Sequence, residues 1–331
     1  MISLLNNNNI PTDMNKYILF AAIALTLAAC SNDDESLTNG PVEARISAGV
    51  NTPETRAIND QWEQDEIGVM VTNASSNMAD LYKNVKYTTT ANTNAAANFT
   101  ATTGQGIFFQ DADETVTFAA YAPYQASADN ATLPGTDGVI SGSTADQSTR
   151  DKQKAFDYIH ASGATASRST PAVQFQGEHA FAHKMTRLVI IVKTSTVDGF
   201  TADQVTSGTY SLGGLKHDGT FNVTTGTAAA NTEGQTTDEW SLTENSLKTE
   251  ETDQVIFTSI LYPQTPGSAL TFSAVIDGQT YVNRTDINPA LKAGTSYTYT
   301  ITVKKTGLEV SGCTVSNWGN GGSHDGNATM E

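Results

Sequence analysis

A chain of 331 residues with 18 Lys plus Arg against 35 Asp plus Glu carries a formal net charge of −17 at pH 7. No nucleic-acid partner is expected from that balance, because neutralising phosphates takes clustered cations. Only 16% of residues are charged while 38% are hydrophobic, enough apolar material for two separate cores. The polar remainder is rich in Thr, Ser, Asn and Gly, which suits strands and turns and argues against a predominantly helical enzyme.

The first element in chain order is an address. From Met14 to Ala29 the sequence reads M-N-K-Y-I-L-F-A-A-I-A-L-T-L-A-A, one cation followed by an apolar run and small residues, the layout of a secretory signal. The run is short for a membrane span of ~20 apolar residues. It closes on Leu27-Ala28-Ala29-Cys30, which resembles a bacterial lipobox. The expectation is a signal peptide over 1–29 with its true start at Met14, cleavage before Cys30, lipidation of Cys30, and a polar tether over 30–42. Several acyl chains hold a protein on a membrane far better than one. The acidic stretch Ser31-Asn32-Asp33-Asp34-Glu35 resembles the signal that sends lipoproteins to the outer face of the cell outer membrane. With Cys30 acylated, Cys313 is left as the other cysteine, and no intramolecular disulfide is expected.

Beyond the tether, Ala44, Ile46, Ala48 and Val50 alternate with Arg45, Ser47, Gly49 and Asn51, the period of a half-buried strand. Residues 51–57 follow as a loop with Pro53 and exposed backbone, accessible to a protease. Strands are predicted at 67–71, 82–89, 107–110 and 115–122, a long loop over 125–150, and a closing strand of the first domain at 156–161. Residues 161–171, small and polar, are the predicted linker, so that one domain spans 43–165 and a second 166–318. The second half opens with Val173 and Phe175 and continues with apolar strands at 188–192, 254–262 and 270–276. Asp218-Gly219 and Asp277-Gly278 are each predicted as a hairpin turn. Tyr297, Tyr299, Ile301 and Val303 alternate with threonines in the clearest strand of the chain. Many short strands separated by turns predict an all-β protein of β-sandwich domains.

The order of several short motifs, covering most of the chain, resembles the fimbrillin family, surface lipoproteins of Gram-negative anaerobes that build protease-dependent pili. The motifs are the Cys30 lipobox; Ala44-Arg45-Ile46-Ser47 leading to Thr55-Arg56-Ala57; Trp62 before Asp65-Glu66-Ile67-Gly68-Val69; and Phe118-Ala119-Ala120-Tyr121-Ala122-Pro123-Tyr124. They continue with Phe181-Ala182-His183-Lys184-Met185-Thr186-Arg187-Leu188, and with Leu291-Lys292-Ala293-Gly294-Thr295-Ser296-Tyr297 through Leu308-Glu309-Val310 to Cys313-Thr314-Val315 and Trp318. The resemblance implies two transthyretin-like β-sandwich domains in tandem and a pilus subunit without a catalytic site or cofactor. It implies that an Arg-specific protease cuts between Arg56 and Ala57, freeing a removable first strand over 44–51 that carries Ala44, Ile46, Ala48 and Val50. Another pilus subunit then fills the opened groove by donor-strand addition. The segment 319–331 is polar and Gly-rich, a poor donor, so a tip or accessory position is expected over a shaft position.

Other constellations read more simply. His179 and His183 are spaced as helical metal ligands, but their surroundings read as a loop entering a strand with no third ligand. Asp111-Ala112-Asp113-Glu114 lacks the glycine and distal Glu of a calcium loop, so no metal is expected. Gly104-Gln105-Gly106 is too short for a dinucleotide fingerprint, and no Gly-x-Ser-x-Gly elbow is present. Trp62, Tyr121, Tyr124 and Trp318 fit core or edge packing better than a sugar platform. The alternative function is a permanently anchored surface lipoprotein that binds a glycan or host protein. A glycosidase is the least favoured, since no carboxylate pair can be placed.

Overall fold

The computed structural model describes residues 40–49, 62–90, 92–94, 96–233 and 236–318, with backbone only at 92–94. As the composition predicts, it is all-β. The first half supplies β1 (Arg45–Gly49), β2 (Trp62–Glu63), β3 (Glu66–Asn73), β4 (Val85–Thr88), β5 (Asn92–Asn94), β6 (Ala96–Phe99), β7 (Thr115–Ala122), β8 (Val139–Ser143), β9 (Ile159–Ser167), β10 (Ala172–Phe175) and β11 (Ala182–His183). A five-stranded sheet in the order β11-β9-β7-β3-β4 faces a three-stranded sheet in the order β10-β1-β6, and β2 pairs with β5. Ile46, Ala48, Phe99, Val173 and Phe175 from one side meet Val69, Val71, Val116, Phe118 and Ala164 from the other in the first core.

The second half supplies β12 (Thr186–Thr194), β13 (Thr209–Gly213), β14 (Asp218–Asn222), β15 (Thr227–Ala230), β16 (Trp240–Ser241), β17 (Leu247–Glu250), β18 (Gln254–Leu261), β19 (Thr271–Ile276), β20 (Gln279–Asn283), β21 (Thr295–Lys304) and β22 (Gly307–Asn317). Sheets in the orders β17-β18-β12-β21-β22 and β16-β13-β19-β20 enclose the second core. Tyr210 and Phe257 touch across it with ring centroids 5.4 Å apart. The predicted Asp277-Gly278 turn closes the β19–β20 hairpin, both residues at positive φ (53° and 74°), a conformation Gly and Asp tolerate.

The halves are not separate bodies. β8, from the first half, pairs with β14, which pairs with β15, so one three-stranded sheet is built from both. Around it lies a third cluster containing Met70, Tyr121, Tyr158, Phe221, Ile260, Tyr262 and Trp318. Consequently β3 and β7 are buried on both faces: Val69, Phe118 and Ala120 enter the first core while Met70, Ala119 and Tyr121 enter the junction. This is why both strands read as continuous apolar runs rather than alternating ones. Gln147 extends the junction by acting as a one-residue strand: its Nε2 donates to the Ile260 carbonyl at 2.9 Å and its Oε1 accepts from the Ile260 N–H at 2.6 Å.

Several expectations are corrected by these pairings. The stretch 125–150, expected as a loop, contains β8. The expected linker 161–171 is largely β9, hydrogen-bonded to β7 along its length with Ala161, Ala164 and Ala166 buried. Val173 and Phe175 do not open the second half but lie in the first core with Phe181, beyond the expected 165/166 boundary. Asp218-Gly219 is not a turn: it begins β14, while β13 belongs to another sheet. A Cβ on Gly219 would lie 2.4 Å from Cγ of the buried Tyr262 ring, so glycine is required there by close approach. The expected strand at 107–110 makes only an isolated bridge, Glu43 to Phe108, and that at 82–89 shrinks to β4.

Candidate functional site

β1 sits between two neighbours rather than at an edge. It runs parallel to β10, with Ile46 opposite Val173 and Ala48 opposite Phe175. On the other side it runs antiparallel to β6, with Ile46 opposite Phe99 and Ala48 opposite Ala97. The residues just before it are also paired: Ala44 N donates to the Ile107 carbonyl at 2.8 Å, Phe109 N to the Val42 carbonyl at 3.0 Å, and Arg45 N to the Pro171 carbonyl at 2.8 Å. Val42 to Gly49 is therefore held as one extended segment by three separate stretches of chain.

The alternation seen in the sequence sorts the segment's side chains. Ala44, Ile46 and Ala48 are buried, whereas Arg45 is exposed and Ser47 half-buried. They pack over the apolar floor of the first core beside an aromatic cluster: Trp62 meets Phe99 of β6 edge-on at 4.9 Å and Phe181 at 5.2 Å, and Phe181 meets Phe175 of β10 at 5.7 Å. Full burial of an Ile side chain contributes about 1.5–3 kcal/mol, and each backbone hydrogen bond a net ~0.5–1.5 kcal/mol. Taking the segment away would expose that floor and leave two strands and a loop with unpaired backbone groups. A cleft of about 1070 Å³, lined by residues including Glu43, Arg45, Tyr87, Asn98 and Gln174, runs alongside the segment. Within the lining, Tyr87 Oη accepts from Ile107 N at 2.9 Å; burial pushes the phenol's pKa up, keeping it neutral. Partial burial likewise raises the pKa of Glu43.

The sequence pattern of the fimbrillin-like family matches residues 55–318. The chain belongs to the fimbrillin-like family. This fimbrillin-like chain is 35% identical over 330 residues to a candidate fimbrium subunit, Fim1C, of Bacteroides uniformis, covering 95% of this chain and 100% of that one. Among solved structures it resembles a candidate cell adhesion protein from Bacteroides ovatus, with a TM-score of 0.65, 28% identity and coverage of 84% of this chain and 96% of the other. It is also similar to a candidate cell adhesion protein from Bacteroides uniformis, with a TM-score of 0.64, 28% identity and coverage of 86% and 100%.

Of the site residues expected from sequence, the structure brings Ala44, Ile46 and Ala48 of this fimbrillin-like chain into the first core. Cys30, Val50, Arg56 and Ala57 lie outside the described residues. The sequence reading missed one neighbour of β1: β10 stands 126 positions away at Ser47 and Val173, and nothing in a local pattern announces a parallel pairing at that distance. It also missed the clamp on 42–44 by 107–109, whose one signal was the apolar Ile107 and Phe109.

The remaining candidates resolve into packing. His183 Nδ1 bonds Asp157 Oδ1 at 2.7 Å, and the ring stacks on Trp318 at 4.0 Å. His179 Nδ1 is 3.0 Å from the Ser162 carbonyl oxygen. Glu114 takes three bonds from Ser75 and Ser76, at 3.1 Å from the Ser75 hydroxyl and 2.7 Å from both Ser76 N and its hydroxyl. Burial alone would raise its pKa, and those bonds outweigh burial and lower it. Trp62 lies in the first core and Tyr121 and Trp318 in the junction.

Proposed function

We propose that this protein is a fimbrium subunit, exported to the bacterial surface as an outer-membrane lipoprotein through Cys30 and matured by an Arg-specific protease acting between Arg56 and Ala57. Removal of the segment carrying Ala44, Ile46 and Ala48 opens a groove that another subunit fills with a donor strand. The observation that carries this reading is the central position of β1: paired on both sides, it leaves two unpaired edges over an apolar floor when withdrawn. Family membership and the candidate fimbrium subunit among its relatives support the assignment to a fimbrium. The polar, Gly-rich sequence of 319–331 favours a tip or accessory position.

The test is the N-terminal sequence and intact mass of protein sheared from cells, set against the cell-bound fraction. A terminus at Ala57 in the sheared protein is the expected result. Arg56→Ala is expected to abolish that terminus and leave the protein cell-bound. Acylated Cys30 in all material would overturn the reading in favour of a permanently anchored binding protein, and normal fibre incorporation of Arg56→Ala would overturn cleavage at that site as the maturation step.

A further inference from the structure

The positions occupied by Ala44, Ile46 and Ala48 are sterically unequal. Ala48 is 0% exposed and faces Phe175 on one neighbouring strand and Ala97 on the other. Phe175 is itself in edge contact with Phe181, and Phe181 with Trp62, so a larger side chain at the fully buried position 48 would have to displace a neighbour in a core already filled by aromatic rings. At Ile46 the neighbours are Val173 and Phe99, and a four-carbon side chain fills the space between them with 2% exposure. Ala44 is buried where its backbone is bound to Ile107. Protein interiors pack densely enough that both added and missing methylenes are felt.

We propose that the groove selects its occupant by a size code: an extended peptide strand from another subunit, with a residue no larger than Ala at the place of Ala48 and a large aliphatic residue at the place of Ile46. The inference rests on the strand-replacement reading above. The strand must span eight positions, from Val42 to Gly49, to satisfy the carbonyls and N–H groups that now bind this segment. Proline is excluded at the places of Ala44 and Arg45, whose N–H groups donate to Ile107 and Pro171. Residues at the places of Arg45 and Ser47 are free to vary, because their side chains leave the core.

Full-length protein nicked with trypsin, which is then inhibited, is mixed with fluorescein-labelled peptides of the sequence from Val42 to Val50, and capture is read by co-migration on gel filtration. The parent peptide and an Arg45→Gln peptide are expected to be captured equally. Ala48→Leu and Ile46→Ala peptides are expected to be captured about tenfold or more weakly. Equal capture of the Ala48→Leu peptide would overturn the code and leave strand replacement standing; failure of the parent peptide to be captured would overturn both. A second measurement does not depend on exchange: Ala48→Leu in the intact chain is expected to lower the urea midpoint, and an unchanged midpoint would refute the size limit.

Discussion

Replacing Phe221 by Ala isolates the contribution of the junction. The side chain is 0% exposed on β14, its ring stacked on Tyr158 at 4.5 Å with planes 8° apart, and 6.3 Å from Tyr121. A buried Phe→Ala change costs about 3–5 kcal/mol from lost transfer energy and the cavity left behind, within which the stacked pair accounts for roughly 0.5–1.5 kcal/mol. Against a total stability of about 5–15 kcal/mol this is a large fraction. The three tryptophans provide the assay, since Trp62 reports on the first core, Trp240 on the second and Trp318 on the junction. In single-tryptophan variants the urea transitions of the parent are expected to coincide, because β8 and Gln147 bind one half to the other. With Phe221→Ala the Trp318 transition moves to lower urea and separates from the other two. Three separate transitions in the parent, or a cost below about 1 kcal/mol where a filled core site is expected to give 3 or more, would refute the coupling.

Two further outcomes follow from buried groups. Burial lowers the pKa of His160 to about 4, with the charge of Lys184 acting the same way, and burial lowers that of His217 to about 4. The folded state holds both rings neutral while the unfolded chain takes up protons below pH ~6.5, so stability is full above that value and falls as pH drops towards 4, by up to roughly 3 kcal/mol per ring; urea midpoints at pH 7, 5.5 and 4.5 that do not decline would contradict this. Gly68→Ala would place a Cβ 2.3 Å from Tyr121 Cε1 and 2.7 Å from Asn84 Oδ1, where Tyr121 Oη donates to Asn84 at 2.8 Å. A loss of about 1–3 kcal/mol is expected, and an unchanged urea midpoint would show that the pair can move aside.

What was legible in the sequence was what depends on near neighbours. The alternation from Tyr297 to Val303 predicted β21, that around Ile46 predicted β1 and the face it buries, and Asp277-Gly278 predicted its hairpin. What was not legible depended on partners far along the chain. Val139 to Ser143 looks like loop because its sequence is poor in large residues. It is a strand because Gly142 lies directly opposite Gly219, and the two leave room for Tyr262, which brings its hydroxyl to 3.1 Å from where a Cβ of Gly142 would be. The same glycine beside Asp218 mimicked a turn signal, since a residue chosen for lack of volume and one chosen for positive φ are the same letter. β1 followed the same division: the face it buries was visible in Ala44, Ile46 and Ala48, while its two neighbours became known only when β10 and β6 were brought together.

The sheet shared by β8, β14 and β15 bears on how a filament of such subunits would respond to bending. A molecule with a free linker between two lobes flexes there, and its length under flow becomes a property of the linker. Here the stretch expected to be that linker is a strand, and the lobes are joined by backbone pairing, interlocked aromatics and the Gln147 bridge. Each subunit would behave as a stiff bead. Curvature would then be taken up at the joints between subunits, and under the strand replacement proposed above the fit of the inserted strand would set the filament's rigidity.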